Sequence, residues 1–217
     1  MKNFIEKYNV SCETIEKLKT YQELLFEWQR KFNLVSNSSL QNIWDRHFSD
    51  SAQLYKYIPQ TANTLIDFGS GAGFPAMVIA IMGLNRTPYL NVSMVESIKK
   101  KTLYLKEVAN KTGVNVTILN DRIENLPTVK YDVITSRAMA SLIDLLEYSN
   151  RFCHENTVCI FPKGKSYSSE LAEAHKKWRF KCIIEASEVS DEGKILIITD
   201  IRKKKEKENA KNFSRRK

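Results

Sequence analysis

After Pro59 the sequence alternates between two kinds of segment, and few folds accommodate such an alternation. Short runs rich in β-branched residues are separated by segments in which apolar residues recur at helical spacing. The runs are TLIDF, NVSMVE, NVTILN, DVITS, TVCIFP, KCIIEA and KILIITDI. Helices are predicted between them near residues 76–83, 98–112, 139–150 and 168–177. This order predicts a doubly wound α/β fold with a mostly parallel, seven-stranded sheet.

The two ends of this alternation are different in character. The segment 189–194 is rich in turn residues and too short for a crossover helix, so the last two strands are predicted to pair antiparallel. Before Pro59, apolar residues recur at helical spacing from Ile15 to Phe32 and again from Leu40 to Ile58. We therefore expect an N-terminal helical section (1–60) packed on an α/β domain (61–201), followed by a basic tail (202–217).

The charge of the chain is concentrated at its C-terminal end. The formal net charge is +9 over 217 residues, and residues 202–217 hold nine Lys or Arg against two Glu. The remaining residues are nearly balanced. A terminal basic run is either a solvated segment or a nonspecific contact with RNA, and charge alone does not separate these interpretations.

Cysteine spacing and hydropathy limit the class of protein. The four cysteines form no C-x-x-C pair and have no histidine at metal-ligand spacing, so neither a metal site nor a disulfide framework is predicted. No apolar run is long enough to cross a bilayer, and the N-terminus does not read as a secretion signal. We expect a cytoplasmic protein without a membrane partner, and a monomer as the default.

The most informative motif is the glycine-rich segment DFGSGAGFP at 67–75, which follows a predicted strand and opens a helix. A dinucleotide fingerprint, G-x-G-x-x-G, needs a small residue where Phe74 stands, so a nicotinamide-dependent oxidoreductase is disfavoured. The pattern here is G-x-G-x-G, with Gly69, Gly71 and Gly73 preceded by Asp67. It matches the loop of class I methyltransferases that holds the amino-acid portion of S-adenosylmethionine, whose ammonium suits an acidic neighbour. The alternative is a glycine-rich turn without a ligand.

Two later segments extend this prediction. Glu96 ends the second predicted strand, where a carboxylate can accept hydrogen bonds from both ribose hydroxyls of an adenosine. Taken alone, it also fits a solvated charge paired with Lys99 or Lys100. Ile123 and Glu124 follow the third strand, where an adenine ring could lie against Ile123.

Several segments in one order resemble the RsmG family, also called GidB, of bacterial methyltransferases that modify guanine N7 in 16S ribosomal RNA. They are Trp28 with KFNLVS at 31–36, RHFSDS at 46–51, the loop at 67–75, TSRAMASL at 135–142 and FPKG at 161–164. The resemblance spans most of the chain. It implies a class I S-adenosylmethionine-dependent methyltransferase whose partner is 16S ribosomal RNA or the small ribosomal subunit.

The resemblance also implies roles for individual residues. Gly69, Phe74, Ile123, Glu124 and Arg137 would contact or frame the cofactor, with Glu96 in the ribose position. Arg46, His47 and Lys163 would face the reaction cleft and contact RNA. A lone helical histidine is more often structural, so His47 is assigned to RNA contact or to local structure. Phe74 is expected to be exposed to ligand by its place in the loop.

Guanine N7 carries an in-plane lone pair and no hydrogen, so its methylation needs no general base. Positioning should dominate catalysis. Arg137, just past the fourth strand, could donate to guanine O6, a phosphate or the cofactor carboxylate. Lys163, after the fifth strand, could anchor phosphate, although a solvated lysine explains it equally well without the resemblance.

Two other functions remain open on sequence grounds. The first is a methyltransferase that acts on a small molecule or a protein side chain, because the cofactor half of this fold does not specify the acceptor. The second is a noncatalytic RNA-binding protein, which a degraded glycine loop or a missing Glu96 would have indicated. Both features are intact.

Overall fold

A computed structural model of the chain describes residues 2–205 and centres on one seven-stranded sheet. The strands are β1 (Thr64–Phe68), β2 (Asn91–Val95), β3 (Val116–Leu119), β4 (Tyr131–Ser136), β5 (Cys153–Lys163), β6 (Trp178–Ala186) and β7 (Lys194–Lys203). Their order in the sheet is β3-β2-β1-β4-β5-β7-β6. Strands β1 to β5 pair in parallel, and β7 is antiparallel to both β5 and β6. The predicted doubly wound sheet and its antiparallel last pair are confirmed.

Eight helices accompany the sheet in the described part of the chain. They are α1 (Lys2–Tyr8), α2 (Cys12–Gln29), α3 (Asn37–Leu40), α4 (Asp50–Ala52), α5 (Ala76–Gly83), α6 (Lys99–Thr112), α7 (Leu142–Phe152) and α8 (Tyr167–Lys177). Three single turns complete the set: a π-helical turn (Trp44–Ser49) and two 3₁₀ turns (Gln53–Tyr57 and Ile123–Asn125). No helix within residues 2–205 is both long and apolar enough to cross a membrane.

Two helical predictions need correction. Helix α7 begins at Leu142 rather than near residue 139, because the Ser141 hydroxyl caps it and accepts a hydrogen bond from the Asp144 amide at 3.3 Å. The backbone of Ala138, at φ +54°, also lies outside helical geometry. The second N-terminal stretch is not one helix but the broken succession from α3 to the turn Gln53–Tyr57. Its apolar residues Phe48 and Leu54 are nevertheless fully buried.

Apolar side chains cover both faces of the sheet. On one face, Leu18 and Leu25 of α2 are buried in the same cluster as Met77 of α5 and Leu105 of α6. The cluster on the other face is built mainly from α7, α8 and the strands beneath them. The N-terminal helices thus share a core with half of the sheet.

Strand β7 continues to Lys203, two residues beyond the predicted end of the α/β domain, and residues 206–217 of the predicted tail lie outside the described part. The division into three sections stays a prediction.

Candidate active site

The predicted site residues gather at the edge of the sheet where the parallel strands end. The strand order reverses between β1 and β4, and ligands of open α/β sheets bind outside the carboxyl ends at such a point. Asp67 is the penultimate residue of β1, Glu96 and Arg137 directly follow β2 and β4, and Lys163 ends β5. The topology alone therefore brings four distant parts of the sequence to one edge.

The glycine loop between β1 and α5 depends on the absence of side chains. Gly69, Gly71 and Gly73 have φ values of +66°, +56° and +97°, a region that residues with a Cβ adopt at a cost. A Cβ added to Gly69 would collide with the Met139 side chain, and one added to Gly73 would lie 2.6 Å from the Tyr21 hydroxyl. At Gly71 the nearest atom to such a Cβ is a backbone oxygen at 3.8 Å, so the space beside this glycine is open.

Asp67 lies fully buried beneath this loop. Its Oδ1 accepts a hydrogen bond of 2.7 Å from the Thr135 hydroxyl, since the two residues are register partners on β1 and β4. Its Oδ2 is buried and has no hydrogen-bond partner among the described residues. Burial raises the pKa of this carboxyl to about 7. A buried carboxylate oxygen without a partner is costly unless a ligand supplies a donor.

Glu96 is 6% exposed and joins the glycine loop to α6. Its Oε2 accepts from the Gly71 amide at 2.9 Å, and its Oε1 accepts from the Ile98 amide at 2.8 Å. These contacts correct the picture of a solvated charge paired with a neighbouring lysine. Each carboxylate oxygen can accept a second hydrogen bond, so these contacts leave capacity for hydroxyl donors.

Ile123 and Glu124 lie in the turn after β3. Ile123 is 7% exposed, and its carbonyl accepts a hydrogen bond from Arg151 at 3.2 Å. Glu124 is exposed and accepts from the Tyr148 hydroxyl at 3.0 Å. Hydrogen bonds from the backbone and from Tyr148 lower the pKa of Glu124. A contact of either residue with adenine stays a prediction.

Phe74 is not exposed, and the expectation based on its place in the loop is wrong. Only 3% of its surface is accessible, because its ring stacks between Tyr21 of α2 at 5.2 Å and His47 at 4.8 Å. The Arg137 guanidinium carbon lies 5.2 Å from the ring centre. Phe74 thus belongs to an aromatic cluster that packs against the loop, and its predicted role in framing the cofactor stays a prediction.

Arg137 reaches from the end of β4 to the N-terminal helices. Its Nη1 donates to the Arg46 carbonyl at 3.1 Å and to Asp50 Oδ2 at 3.0 Å, and its Nη2 lies 2.6 Å from His47 Nδ1. An arginine can only donate, so His47 Nδ1 accepts, and the imidazole proton on Nε2 is available to Ser39 Oγ at 2.8 Å. Burial and the charges of Arg137 and Arg46 lower the pKa of His47 to about 3. His47 is therefore neutral and structural here, one of the two roles predicted for it.

Lys163 is tied into the protein rather than solvated. Its Nζ donates to Glu170 Oε2 of α8 at 2.7 Å and to the Ala140 carbonyl at 3.0 Å, and its side chain is 9% exposed. Burial raises the pKa of Glu170, but the hydrogen bond and charge of Lys163 outweigh it and the pKa is lowered. Lys163 thereby holds the loop that follows Arg137, and its role as an RNA contact stays a prediction.

A cleft of about 510 Å³ brings together three of the residues predicted to act on the acceptor, whereas His47 does not line it. Arg46, Arg137 and Lys163 line it, with Asp50, Glu170 and the turn between β6 and β7. Asp67 and Glu96 do not line this cleft, and Met139, which does line it, is the side chain that packs against Gly69. The predicted residues thus fall into a glycine-loop group and a cleft group that adjoin at Met139.

Sequence reasoning assigned no role to several residues that shape this site. Asp50 and Glu170 form ion pairs with Arg137 and Lys163, Thr135 donates to Asp67, and the Tyr21 hydroxyl donates to the Ala72 carbonyl at 2.5 Å. For Asp50 a signal existed, since it lies three residues after His47 on a helical stretch. The contact of Tyr21 joins two segments that lie far apart in the sequence, so nothing in the local sequence indicates it. Among the described residues, no group of three or more His, Cys, Asp or Glu could hold a metal ion, and all four cysteines are free.

Comparison with solved structures concerns the fold. A SAM-dependent methyltransferase from Aquifex aeolicus superposes with a TM-score of 0.55 at 15% identity, over 76% of this chain and 98% of the other. A ribosomal protein L11 methylase from Lactobacillus delbrueckii superposes with a TM-score of 0.54 at 16% identity, over 69% and 76%. These neighbours support the class I methyltransferase fold.

Comparison of sequences identifies the family. The family model described as rRNA small subunit methyltransferase G, GidB, matches residues 14–204. A protein named ribosomal RNA small subunit methyltransferase G from Rickettsia bellii is 40% identical over 195 residues, covering 90% of this chain and 98% of the relative. A protein of the same name from a Ruegeria species is 36% identical over 189 residues, covering 87% and 91%. With its glycine loop and adjoining cleft, this chain belongs to the GidB family of methyltransferases.

Proposed function

We propose that this protein transfers the methyl group of S-adenosylmethionine to N7 of a guanine in 16S ribosomal RNA, as naked RNA or within the small subunit. Its family and its relatives are named for methylation of small-subunit ribosomal RNA. One observation carries the proposal. The glycine loop covers the buried Asp67, and this loop adjoins a cleft lined by Arg46, Arg137 and Lys163. The cytoplasmic location and the monomeric state stay predictions.

The residues of the loop fit S-adenosylmethionine. The unpartnered Oδ2 of Asp67 is an acceptor for an ammonium group, and the open space at Gly71 can take the amino-acid portion. Glu96 would hold the ribose hydroxyls, and the turn with Ile123 and Glu124 would lie beside the adenine. When bound, the cofactor supplies an electrophilic methyl group on a sulfonium.

In this reaction the residues of the chain position the substrate and do not need to transfer a proton. Guanine N7 attacks with its in-plane lone pair, and no described residue needs to remove a proton. The residues of the cleft must hold the base and its phosphates so that N7 faces the methyl group in line with sulfur. The guanine becomes positively charged as it is methylated. The carboxylates of Asp50 and Glu170 offset the charges of Arg137 and Lys163 in the cleft wall, which reduces the repulsion that this new charge meets.

The proposal is tested by incubating the protein with radiolabelled S-adenosylmethionine and three acceptors: small-subunit ribosomal RNA, assembled small subunits and an RNA-free extract. We expect label in RNA or in subunits, and none with the Asp67→Ala variant, which lacks the ammonium acceptor. Label that enters only the RNA-free extract would assign a metabolite or a protein as acceptor and would contradict the proposal.

A further inference from the structure

The polar contacts of the Arg137 guanidinium come from one short stretch of the N-terminal section. The Arg46 carbonyl, His47 Nδ1 and Asp50 Oδ2 surround its two Nη atoms at 3.1, 2.6 and 3.0 Å. Arg137 itself belongs to the loop after β4, so residues about ninety positions away in sequence set its orientation. We call the Arg46 carbonyl, His47 and Asp50 the Arg137 cradle.

Other residues hold the cradle itself in place. Ser39 bonds His47 Nε2 at 2.8 Å, and the imidazole stacks on Phe74. The second carboxylate oxygen of Asp50 accepts from Gln53 Nε2 at 2.9 Å. The stretch Trp44–Ser49 is a π-helical turn, a rare geometry that occurs often at functional sites.

Burial makes the contact between Asp50 and Arg137 more than a surface ion pair. Their side chains are 20% and 17% exposed, so solvent screens the pair only partly. Asp45 lies in the π-helical turn that precedes Asp50, but it is exposed and forms no ion pair with the described residues. The two carboxylates, five residues apart, therefore differ in environment and offer a matched comparison.

The contacts with the cradle determine which donors of Arg137 remain. A guanidinium has five N–H groups, and the cradle engages both of Nη1 and one of Nη2. The donors of Arg137 for which no partner among the described residues is found are Nε–H and one Nη2–H, and Nε–H together with an adjacent Nη–H makes the side-on fork of a guanidinium. Such a fork matches two oxygens of one phosphate, and Arg137 lines the cleft.

We propose that Asp50, assisted by His47, is a positioning residue for methyl transfer, because it turns the Arg137 fork towards a phosphate of the substrate RNA. The inference rests on the function proposed above and deepens it. Asp50 does not touch the substrate and acts only through Arg137. His47 is neutral over the working pH range, so its contribution to the cradle persists there.

The test measures single-turnover methyl transfer to small-subunit ribosomal RNA, with cofactor and RNA at saturating concentrations. Wild type is compared with Asp50→Ala, Asp50→Asn, Arg137→Gln, the double variant Asp50→Ala/Arg137→Gln, and Asp45→Asn as the control. Cofactor affinity and melting temperature are measured for each protein. These confirm that every variant is folded and loaded.

We expect Asp50→Ala to lower the rate at least about tenfold at unchanged cofactor affinity, a loss of about 1.4 kcal/mol in transition-state stabilisation. Asp50→Asn keeps an acceptor for Nη1 and should recover part of the rate, whereas Asp45→Asn should behave as wild type. The double variant should be no slower than Arg137→Gln alone, because Asp50 has no role once the arginine is gone.

Two results would overturn the inference. One is a wild-type rate for Asp50→Ala, and the other is a double variant slower than Arg137→Gln by the full factor of Asp50→Ala. If wild-type protein labels no RNA at all, the proposed function fails instead, and the two failures are thus distinguishable. If Asp50→Ala does not fold, the rate of Asp50→Asn relative to Asp45→Asn decides, and equal rates contradict the inference.

Discussion

At Asp67, the burial of the carboxyl beneath the glycine loop says more about its role than the residue type alone. The sequence predicts an acidic neighbour for an ammonium group. Only the structure reveals that one oxygen is already engaged by Thr135 and that the other has no partner among the described residues. Phe74 illustrates the opposite case. Its place in the loop indicated exposure, but α2 and the π-helical turn cover it, and such long-range packing leaves no local sequence signal.

The raised pKa of Asp67 predicts that cofactor affinity depends on pH. The free protein holds this carboxyl with a pKa of about 7, and the ammonium favours its ionised form. Binding must therefore displace a proton below that pH, so affinity should rise up to about tenfold per unit from about pH 5.5 to about pH 7. Titration calorimetry in buffers of different ionisation enthalpy measures both the affinity and the released proton. Asp67→Asn should bind weakly at every pH, and an equally steep dependence in that variant would contradict the assignment.

A second prediction at this scale separates backbone strain from cofactor binding. Gly71 and Gly113 both have positive φ, at +56° and +67°, and neither faces a close contact at an added Cβ. Alanine at either position should lower the free energy of unfolding by about 1 kcal/mol, because an L-residue is strained there. Gly71→Ala should also weaken cofactor binding by filling the open space beside the loop, whereas Gly113→Ala, at the end of α6, should leave it unchanged. Denaturant titration and calorimetry measure the two quantities, and equal cofactor affinities would contradict the placement of the ligand.

At the scale of elements, periodicity predicted which segments fold, and local geometry set where they end. Helices α5 and α6 lie where apolar spacing placed them, and Gly113 ends α6 in a left-handed conformation. The stretch from Leu40 to Ile58 keeps its apolar residues buried but breaks into short turns. The spacing of apolar residues could not predict that break. It indicates which face of a helical segment is buried, but not where the helix is interrupted so that its backbone and side chains contact Arg137.

The link between α2 and the glycine loop leads to a prediction for the N-terminal helices. The Tyr21 hydroxyl is fully buried and donates to the Ala72 carbonyl. Tyr21→Phe would leave that carbonyl without its donor, so the free energy of unfolding should fall by about 1–3 kcal/mol. The loop should also loosen, with weaker cofactor binding. Tyr89→Phe removes a hydroxyl that donates to the exposed Gln60 carbonyl and is the control, with little expected change in either quantity. Wild-type cofactor affinity in Tyr21→Phe would mean that α2 does not support the loop.

At the scale of the whole molecule, the fold and the edge of the sheet where the site residues gather were predictable, and the shape of the cleft was not. The alternation of strand-like and helix-like segments predicted the sheet, and the glycine motif predicted the edge of the sheet at which a ligand would bind. The cleft instead arises where the π-helical turn, the ends of β4 and β5, and the turn between β6 and β7 converge. No single segment of the sequence indicates this convergence. Which cations form ion pairs and which are solvated is likewise seen only in the folded structure.

The uneven distribution of charge leads to a prediction for the basic C-terminal residues. Residues 206–217 carry five Lys or Arg and two Glu, a net charge of +3 out of the +9 of the whole protein. Deletion of these residues should leave cofactor affinity unchanged and should reduce the slope of log affinity for RNA against log salt concentration by about 1 to 4. A full-length variant with Gln in place of those five basic residues is the control and should match the deletion. An unchanged slope would favour the interpretation of a solvated segment.

The most direct test of the central claim is nucleoside analysis by mass spectrometry of 16S ribosomal RNA. The RNA is isolated from cells that lack this gene and is treated with S-adenosylmethionine and either the wild-type protein or Asp67→Ala. We predict that 7-methylguanosine rises by one residue per RNA molecule with the wild type and not with the variant. RNA from wild-type cells should gain none. No gain of 7-methylguanosine in RNA or in subunits, from a protein that binds the cofactor, would contradict the account.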